Sequence, residues 1–314
     1  MLVGCGGSQH RVTRATPTTP PPTTPPTTVT TTAEQLPGFG KPQVVIGDKN
    51  FTEQFVLGQL YKQALMAQGF SVSLNPNIGP SEVTIQALRS GRLALYPEYL
   101  DTLNATIAGD RTHFDSLAAA LHAAQSHASQ LGFELLPPTP FSDTDAIGVT
   151  RGYAIDNSLR QIGDLRRQAS SVMLGAPPQF QQSATGLPAL EQAYGFAPAA
   201  FKALDVGSQY QALDQNTIQA ADVNTTDGQL ASGSYSLLAD PQHIFGWGNV
   251  VPVVSPKVLM QEGPAFARTI EKVNALLSTE TMRKLNAAVD VGHQDPAAVA
   301  KQFLQAHDLV SITP

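Results

Sequence analysis

Asp48, Lys49 and Glu53 crowd around the turn that follows Val44-Val45-Ile46-Gly47 and precedes Thr52-Glu53-Gln54. The apolar run reads as a buried strand, and the polar residues after it read as the entry into a capped helix. At the carboxyl edge of an open α/β sheet, such a helix start offers unpaired N–H groups and a partial positive charge, to which Lys49 adds a full one. The chemistry this allows is capture of a ligand. Making or breaking bonds would need a nucleophile with a base, a metal cluster or a phosphate loop. The chain has no Gly-x-Ser-x-Gly or Walker sequence, and its seven His are dispersed. His122 and His127 fall on an Ala-rich stretch where a solvated face explains them better than zinc. Asp48 and Glu53 are expected to cap the helix and pair with Lys49. No enzyme, no cofactor and no metal site is expected.

The elements that must hold this turn follow from periodicity. Thr52 to Gly69 has helical spacing, Ser71 to Leu74 alternates as a strand, Ser81 to Ser90 is a helix with Ser81 as N-cap, and Leu93 to Tyr96 is a third strand. This rhythm predicts a parallel sheet with helices on both faces. Ile147 to Thr150, Ser171 to Gly175 and Ala220 to Val223 repeat the logic as strands, and Leu187 to Tyr194 as a helix ended by Gly195. Val250 to Val254 is a further strand. Helices are expected at about Pro264 to Leu277, Thr279 to Val289 and Asp295 to His307.

A chain of 314 residues with 42% hydrophobic and 14% charged residues can bury two cores. Its net charge of −6, without a basic stripe, argues against nucleic acid. Cys5 is the one cysteine, so no internal disulfide or thiolate site exists. Leu2-Val3-Gly4-Cys5 has the form of a lipobox, with the expected export signal missing upstream of Met1. From Thr13 to Thr32 almost every residue is Pro or Thr, which predicts a disordered, extended stalk reaching on the order of 80 Å by Pro42. A lipidated Cys5, a stalk and a globular receptor fit together. No later run is apolar enough to cross a bilayer, so the membrane is met through the anchor only.

Read in order, the Lys49 turn, Asn77-Ile78-Gly79-Pro80-Ser81, Tyr96-Pro97-Glu98-Tyr99-Leu100-Asp101-Thr102 and Thr225-Thr226-Asp227-Gly228 resemble the substrate-binding proteins of ABC importers for glycine betaine, choline and carnitine, the ProX type. The likeness runs from about Gln43 to the C-terminus. It implies an α/β, two-lobed periplasmic-binding-protein-like fold of type II, with a ligand cleft between the lobes and a two-crossing hinge. Lobe 1 would comprise residues 42–145 and 250–314, and lobe 2 residues 146–249, after an anchor and stalk at 1–41.

The resemblance also implies a site. Lys49, with Asn50 beside it, would help hold a ligand carboxylate, Tyr99 would be one aromatic wall and Thr102 a hydroxyl donor. Tyr96 and Glu98 would alternate away from the pocket, and Glu98 and Asp101 on the lobe rims would meet permease arginines. Elsewhere the chain departs from the family pattern. Ser142-Asp143-Thr144-Asp145 replaces Asn-Asp-Thr-Tyr, Asn224 stands for a second tyrosine, Gly248 beside Trp247 for another aromatic, and Ser183 for an arginine. Lost aromatic faces weaken a cage for quaternary ammonium. Asp145, Gln182, Ser183, Asn224 and Thr225 form a lining of donors and acceptors, with Tyr99 and Trp247 able to stack.

The expected function is capture of a small molecule outside the cytoplasm, by a monomer, and its delivery to an ABC permease and ATPase. Two cargoes stay open: an osmoprotectant such as glycine betaine or choline, with Asp145 contacting the cation, and a neutral hydroxylated or ring compound, sugar-like or polyphenol-like. A ligand-sensing domain for a signalling partner would use the same pocket.

Overall fold

The computed structural model describes residues 36–311. The lipobox with Cys5 and the stalk as far as residue 35 lie outside the described residues. Residues 36–41, expected as the end of the stalk, instead form a turn on the body: Gly38 N–H donates to the Gln68 carbonyl at 2.9 Å and Lys41 Nζ to the Gln261 carbonyl at 2.8 Å. The first part of the chain runs β1 (Val44–Gly47), α1 (Thr52–Ala67), β2 (Val72–Asn75), α2 (Ser81–Arg89), β3 (Leu95–Tyr99), α3 (Leu100–Thr102), α4 (Leu117–Gln130) and β4 (Glu134–Leu135). The second part holds β5 (Asp145–Thr150), α5 (Arg151–Asp156), β6 (Met173–Ala176), α6 (Leu187–Tyr194), β7 (Ala200–Ala203), α7 (Gln209–Asp214), β8 (Ala220–Asn224) and β9 (Tyr235–Leu237). β10 (Val250–Val254) then leads into α8 (Pro256–Glu262), α9 (Pro264–Ala275), α10 (Thr279–Asp290) and α11 (Pro296–Ala306).

Two sheets result, ordered β2-β1-β3-β10-β4 and β7-β6-β8-β5-β9. Neither is purely parallel as the rhythm predicts. β10 runs antiparallel to β3, and β5 antiparallel to β8. Both exceptions are strands that follow a passage between the sheets. Without a crossover helix, nothing turns the chain into the parallel sense.

Alternation sets the layers. Val250 and Val254 face the cluster built on α1 and α9, while Val251 and Val253 face the cluster of α2 and α4. In the second sheet Ile147 and Val149 point into one core, and Ala146 into the other with Ala221 and Val223. Burial on both faces is what the apolar strands require.

Two caps differ from expectation. Ser81 is the first residue of α2, with Pro80 at the N-cap, because the serine hydroxyl is engaged by Lys49. Phe51, in extended conformation and without a side-chain hydrogen bond, precedes α1. Gly195 does end α6 in the left-handed conformation, at φ 62°. His127 is not merely solvated: its Nε2 lies 3.1 Å from Asp110 Oδ2 and ties α4 to the loop before it. No helix among the described residues is long and apolar enough to cross a membrane.

Candidate functional site

The passage between sheets is a pair of crossing segments. Asp143 N–H donates to the Gly248 carbonyl at 2.9 Å, Gly248 N–H to Ser142 Oγ at 3.0 Å, and Ser142 and Asn249 form an antiparallel bridge. Asn249 Nδ2 donates to the Thr139 and Phe141 carbonyls, which leaves this residue buried. Thr225 fastens the second sheet to the same place. Its hydroxyl donates to the Ser142 carbonyl at 2.7 Å and accepts from Thr144 N–H at 3.1 Å.

α10 is the other joint. Arg283 Nε donates to the Thr225 carbonyl at 2.7 Å, and Asn286 Nδ2 to the Thr226 carbonyl at 2.9 Å. A Cβ on Gly228 would lie 2.6 Å from Ala287 N, so the second half of the Thr-Thr-Asp-Gly motif serves close approach to this helix.

Above the joint stands the β1–α1 turn. Lys49 is buried, its Nζ 2.5 Å from Glu98 Oε1 and 3.2 Å from Ser81 Oγ. The same ammonium lies 4.5 Å from the Tyr99 ring centre and 5.7 Å from that of Phe51, and the two rings stack 5.9 Å apart. Tyr99 Oη donates to Glu53 Oε1 at 2.8 Å, and Asn286 Nδ2 donates to Glu53 Oε2 at 3.0 Å. Glu53 thus links the aromatic wall to α10.

These bonds correct three expectations. Asp48 and Glu53 are not partners of Lys49: Asp48 accepts from Asn77 N–H at 2.6 Å, with its Oδ2 buried beneath Gly58. Glu98 is not on a rim, being wholly buried against Lys49. Thr225 spends its hydroxyl within the crossing and is not a free donor.

The remaining sequence candidates are scattered. Asn50 is exposed on the turn beside Lys49. Thr102 N–H and hydroxyl both turn to Asp101 Oδ1. Trp247 stacks on His243 at 4.4 Å, donates to the Phe114 carbonyl and packs against the α2–α4 cluster. Asp145 pairs with Asn224 across β5 and β8. Gln182 and Ser183 sit on the loop after β6, where the Ser183 hydroxyl meets that of Thr185. No hydrogen bond joins them to Lys49 or Tyr99 among the described residues.

The electrostatics of this region are acidic. Burial, opposed by hydrogen bonds from Thr226, Tyr99 and Asn286, raises Glu53 above the usual carboxylate range. Burial and then the Glu53 charge push Asp143 well up. Asp145 is raised by burial and by Asp227, and Asp227 by its own burial. Burial pushes Asp101 up to about 7. Of the cations, Lys49 is already matched by Glu98. Phe51, Glu53, Asp143 and Asn286 were all missed as site residues. Phe51 had a signal, an aromatic at the helix entry beside Lys49; Asn286 had none in its neighbourhood.

Two mixed sheets joined by a double crossing, with polar groups gathered at the joint, make the two-lobed α/β architecture of periplasmic binding proteins. Residues 42–306 match the family model for the substrate binding domain of ABC-type glycine betaine transport systems. The chain is 30% identical to the glycine-betaine-binding protein of Pseudomonas aeruginosa, over 84% of this chain and 88% of that one. It is 31% identical to the glycine betaine-binding protein YehZ of Escherichia coli, over 87% and 93%. A crystal structure described as a glycine betaine/carnitine/choline ABC transporter superposes with a TM-score of 0.80 at 24% identity, covering 85% of this chain and 99% of that one. The chain belongs to the family of substrate-binding domains of ABC-type glycine betaine transport. It is a transport protein of extracytoplasmic type, not an enzyme.

Proposed function

We propose that the protein captures a small organic cation of the osmoprotectant kind, glycine betaine or choline, between its lobes and hands it to an ABC permease with its ATPase. The observation that carries this is the excess of carboxyl groups at the joint: Glu53 and Asp143 act on Tyr99 of the stacked Phe51–Tyr99 pair, Asp145 and Asp227 lie on the second sheet beside the crossing, and the cations there are Arg283 and a lysine already paired with Glu98. Carboxyl groups whose ionisation burial holds back ionise more readily beside a cation and less readily beside an anion, so with the ring faces they favour a cationic cargo. Ligand that touches both lobes favours the closed form, which the permease recognises. The reading takes 42–145 with 250–314 as one lobe and 146–249 as the other, with Lys49, Asn50, Tyr99, Thr102 and Asp145 nearest the ligand. The neutral-ligand reading leans on Asn224, Gln182 and Ser183, of which Asn224 lies opposite Asp145 across β5 and β8. Family membership favours import over sensing.

Calorimetric titration with choline, glycine betaine, carnitine, and a panel of sugars, polyols and phenolics tests the cargo. Choline is expected to bind at least as tightly as glycine betaine, because Glu98 already occupies the lysine that would hold a carboxylate. Binding confined to the neutral panel would overturn the proposal.

The reading also holds the protein as a monomer on the outer face of the membrane, with Cys5 lipidated. Labelled palmitate should enter the exported chain and be lost in Cys5→Ala. Equal labelling of both would remove the anchor.

A further inference from the structure

The first sheet holds the Lys49 turn at one edge and a second surface, unused so far, at the other. Lys41 precedes β1 and Lys49 follows it, while α1 returns over 16 residues, a rise of about 24 Å, to Gln68. At that far edge Leu36 is the first described residue after the Pro- and Thr-rich segment. The turn that Gly38 and Lys41 fasten to Gln68 and Gln261 presents Leu36 and Phe39, 52% and 68% exposed, and Met260 beside Gln261 is 79% exposed. Exposed apolar side chains gathered at one place mark a contact surface.

Cations surround them. Arg268 and Lys272, one turn apart on α9, line a cavity of about 180 Å³ together with Pro37, Gln68 and Leu309. Lys257 stands one turn before Gln261 on α8, and Lys41 Nζ reaches the Gln261 carbonyl near the end of that helix. None of these four cations forms an ion pair among the described residues. Of the acids nearby, Glu262 is buried, and burial raises it above the usual carboxylate range, which leaves Glu271 and Asp308. The face is therefore positive on a chain whose net charge is −6.

We propose that this face is a docking surface for anionic membrane lipid, on which the body rests between deliveries. An anionic bilayer offers both attractions the face can use: its headgroup layer accepts the apolar tips, and its phosphates meet the cations. Arg268 and Lys272 at the cavity can hold one such phosphate by charge-assisted hydrogen bonds. A permease that recognises the closed form must touch both lobes, whereas this face belongs to the layers of the first sheet alone, an α1 length from the Lys49 turn. The occupant's nearness rests on the lipid anchor proposed at Cys5, because a tether raises the effective concentration of the membrane and lets a weak surface affinity suffice. A body seated this way keeps the Lys49 turn away from the bilayer, open to arriving cargo. Delivery then requires release, so the attachment is weak and screened by salt.

The test is flotation of the full chain carrying Cys5→Ala, so that no acyl chain contributes, with vesicles of phosphatidylcholine alone and of equal parts phosphatidylcholine and phosphatidylglycerol. Binding is expected to the mixed vesicles at low salt, and to neither at high salt. Arg268→Glu/Lys272→Glu should weaken it by about twentyfold or more, about fivefold for each basic residue lost. Arg268→Gln/Lys272→Gln serves the same purpose if the reversal melts early, and Phe39→Ser should weaken binding on its own. The control is Arg160→Glu/Arg166→Glu, which makes the same change of net charge at exposed positions after β5 and should float like the parent. No flotation with the mixed vesicles, equal flotation with phosphatidylcholine alone, or flotation that both double variants change alike would overturn the proposal. Palmitate labelling of the wild-type chain reads the anchor separately, so an unlipidated Cys5 with flotation intact would remove the tether and leave the face standing.

Discussion

Lys49→Met should cost about 3–5 kcal/mol of stability at neutral pH, and adding Glu98→Gln should recover most of it. Lys49 is 5% exposed and Glu98 not at all, so both ions have left water. Among the described residues Glu98 receives Lys49 Nζ and Tyr99 N–H, both on Oε1, and its Oε2 is buried without a hydrogen-bond partner. Removing the lysine leaves a carboxylate with one amide donor and no countercharge. Removing both charges together leaves an amide able to accept the same Tyr99 N–H. Urea denaturation of the two single variants and the double gives the coupling directly. A Lys49→Met protein within 1 kcal/mol of wild type would mean the pair is not isolated from solvent. The double variant, expected to keep the fold, has a second use because it lacks the lysine. If it binds ligand normally, Lys49 holds the site together and does not grip the cargo.

The fold was open to reading because its signals are local. The Val44–Gly47 strand, the helix over Thr52–Ala67 and the glycine stop at Gly195 each depend on a few neighbouring residues. Periodicity located the C-terminal helices to within a few residues. Strand direction was not accessible in the same way, since β10 and β5 differ from their neighbours only in how the chain arrives.

The site was legible in part, and the missing part is long-range. Lys49 and Tyr99 were found by motif, and they do meet, but the partners that define them come from elsewhere. Glu53 looked like a helix-cap acid and is tied instead to Tyr99 and to Asn286, 233 positions away. Glu98 follows the strand alternation that places it beside Tyr96, yet alternation could not show that the face it enters is dry. Thr225 and Trp247 carry ligand-binding chemistry by type. Tertiary packing uses the first in the crossing and rests the second on His243 and Phe114. An acidic joint could be suspected from Asp145 in place of an aromatic, but its density depends on which strands lie side by side.

Gly248→Ala should destabilise the protein by about 3 kcal/mol or more, the upper end of overpacking, by forcing the crossing segments apart. Space is the issue here, not backbone conformation, since Gly248 is absent from the positive-φ glycines. An added Cβ would fall 1.7 Å from the Asp143 carbonyl oxygen and 2.5 Å from its carbon, with Thr144 Cγ2 at 2.9 Å. Those backbone atoms cannot withdraw cheaply, because Asp143 N–H is held by the Gly248 carbonyl and Gly248 N–H by Ser142 Oγ. Gly152 is the control: it lies in α5, and an added Cβ meets nothing within 4 Å. Gly152→Ala should be neutral or stabilising by up to about 1 kcal/mol. Urea midpoints of the two variants, measured side by side, separate a packing clash from a general response to losing glycine. A Gly248→Ala midpoint matching wild type would mean the segments slide freely past one another. The same contact bears on cargo. A position that cannot hold a methyl group cannot hold the aromatic ring that the resemblance places there, so that cage wall is excluded by the crossing itself.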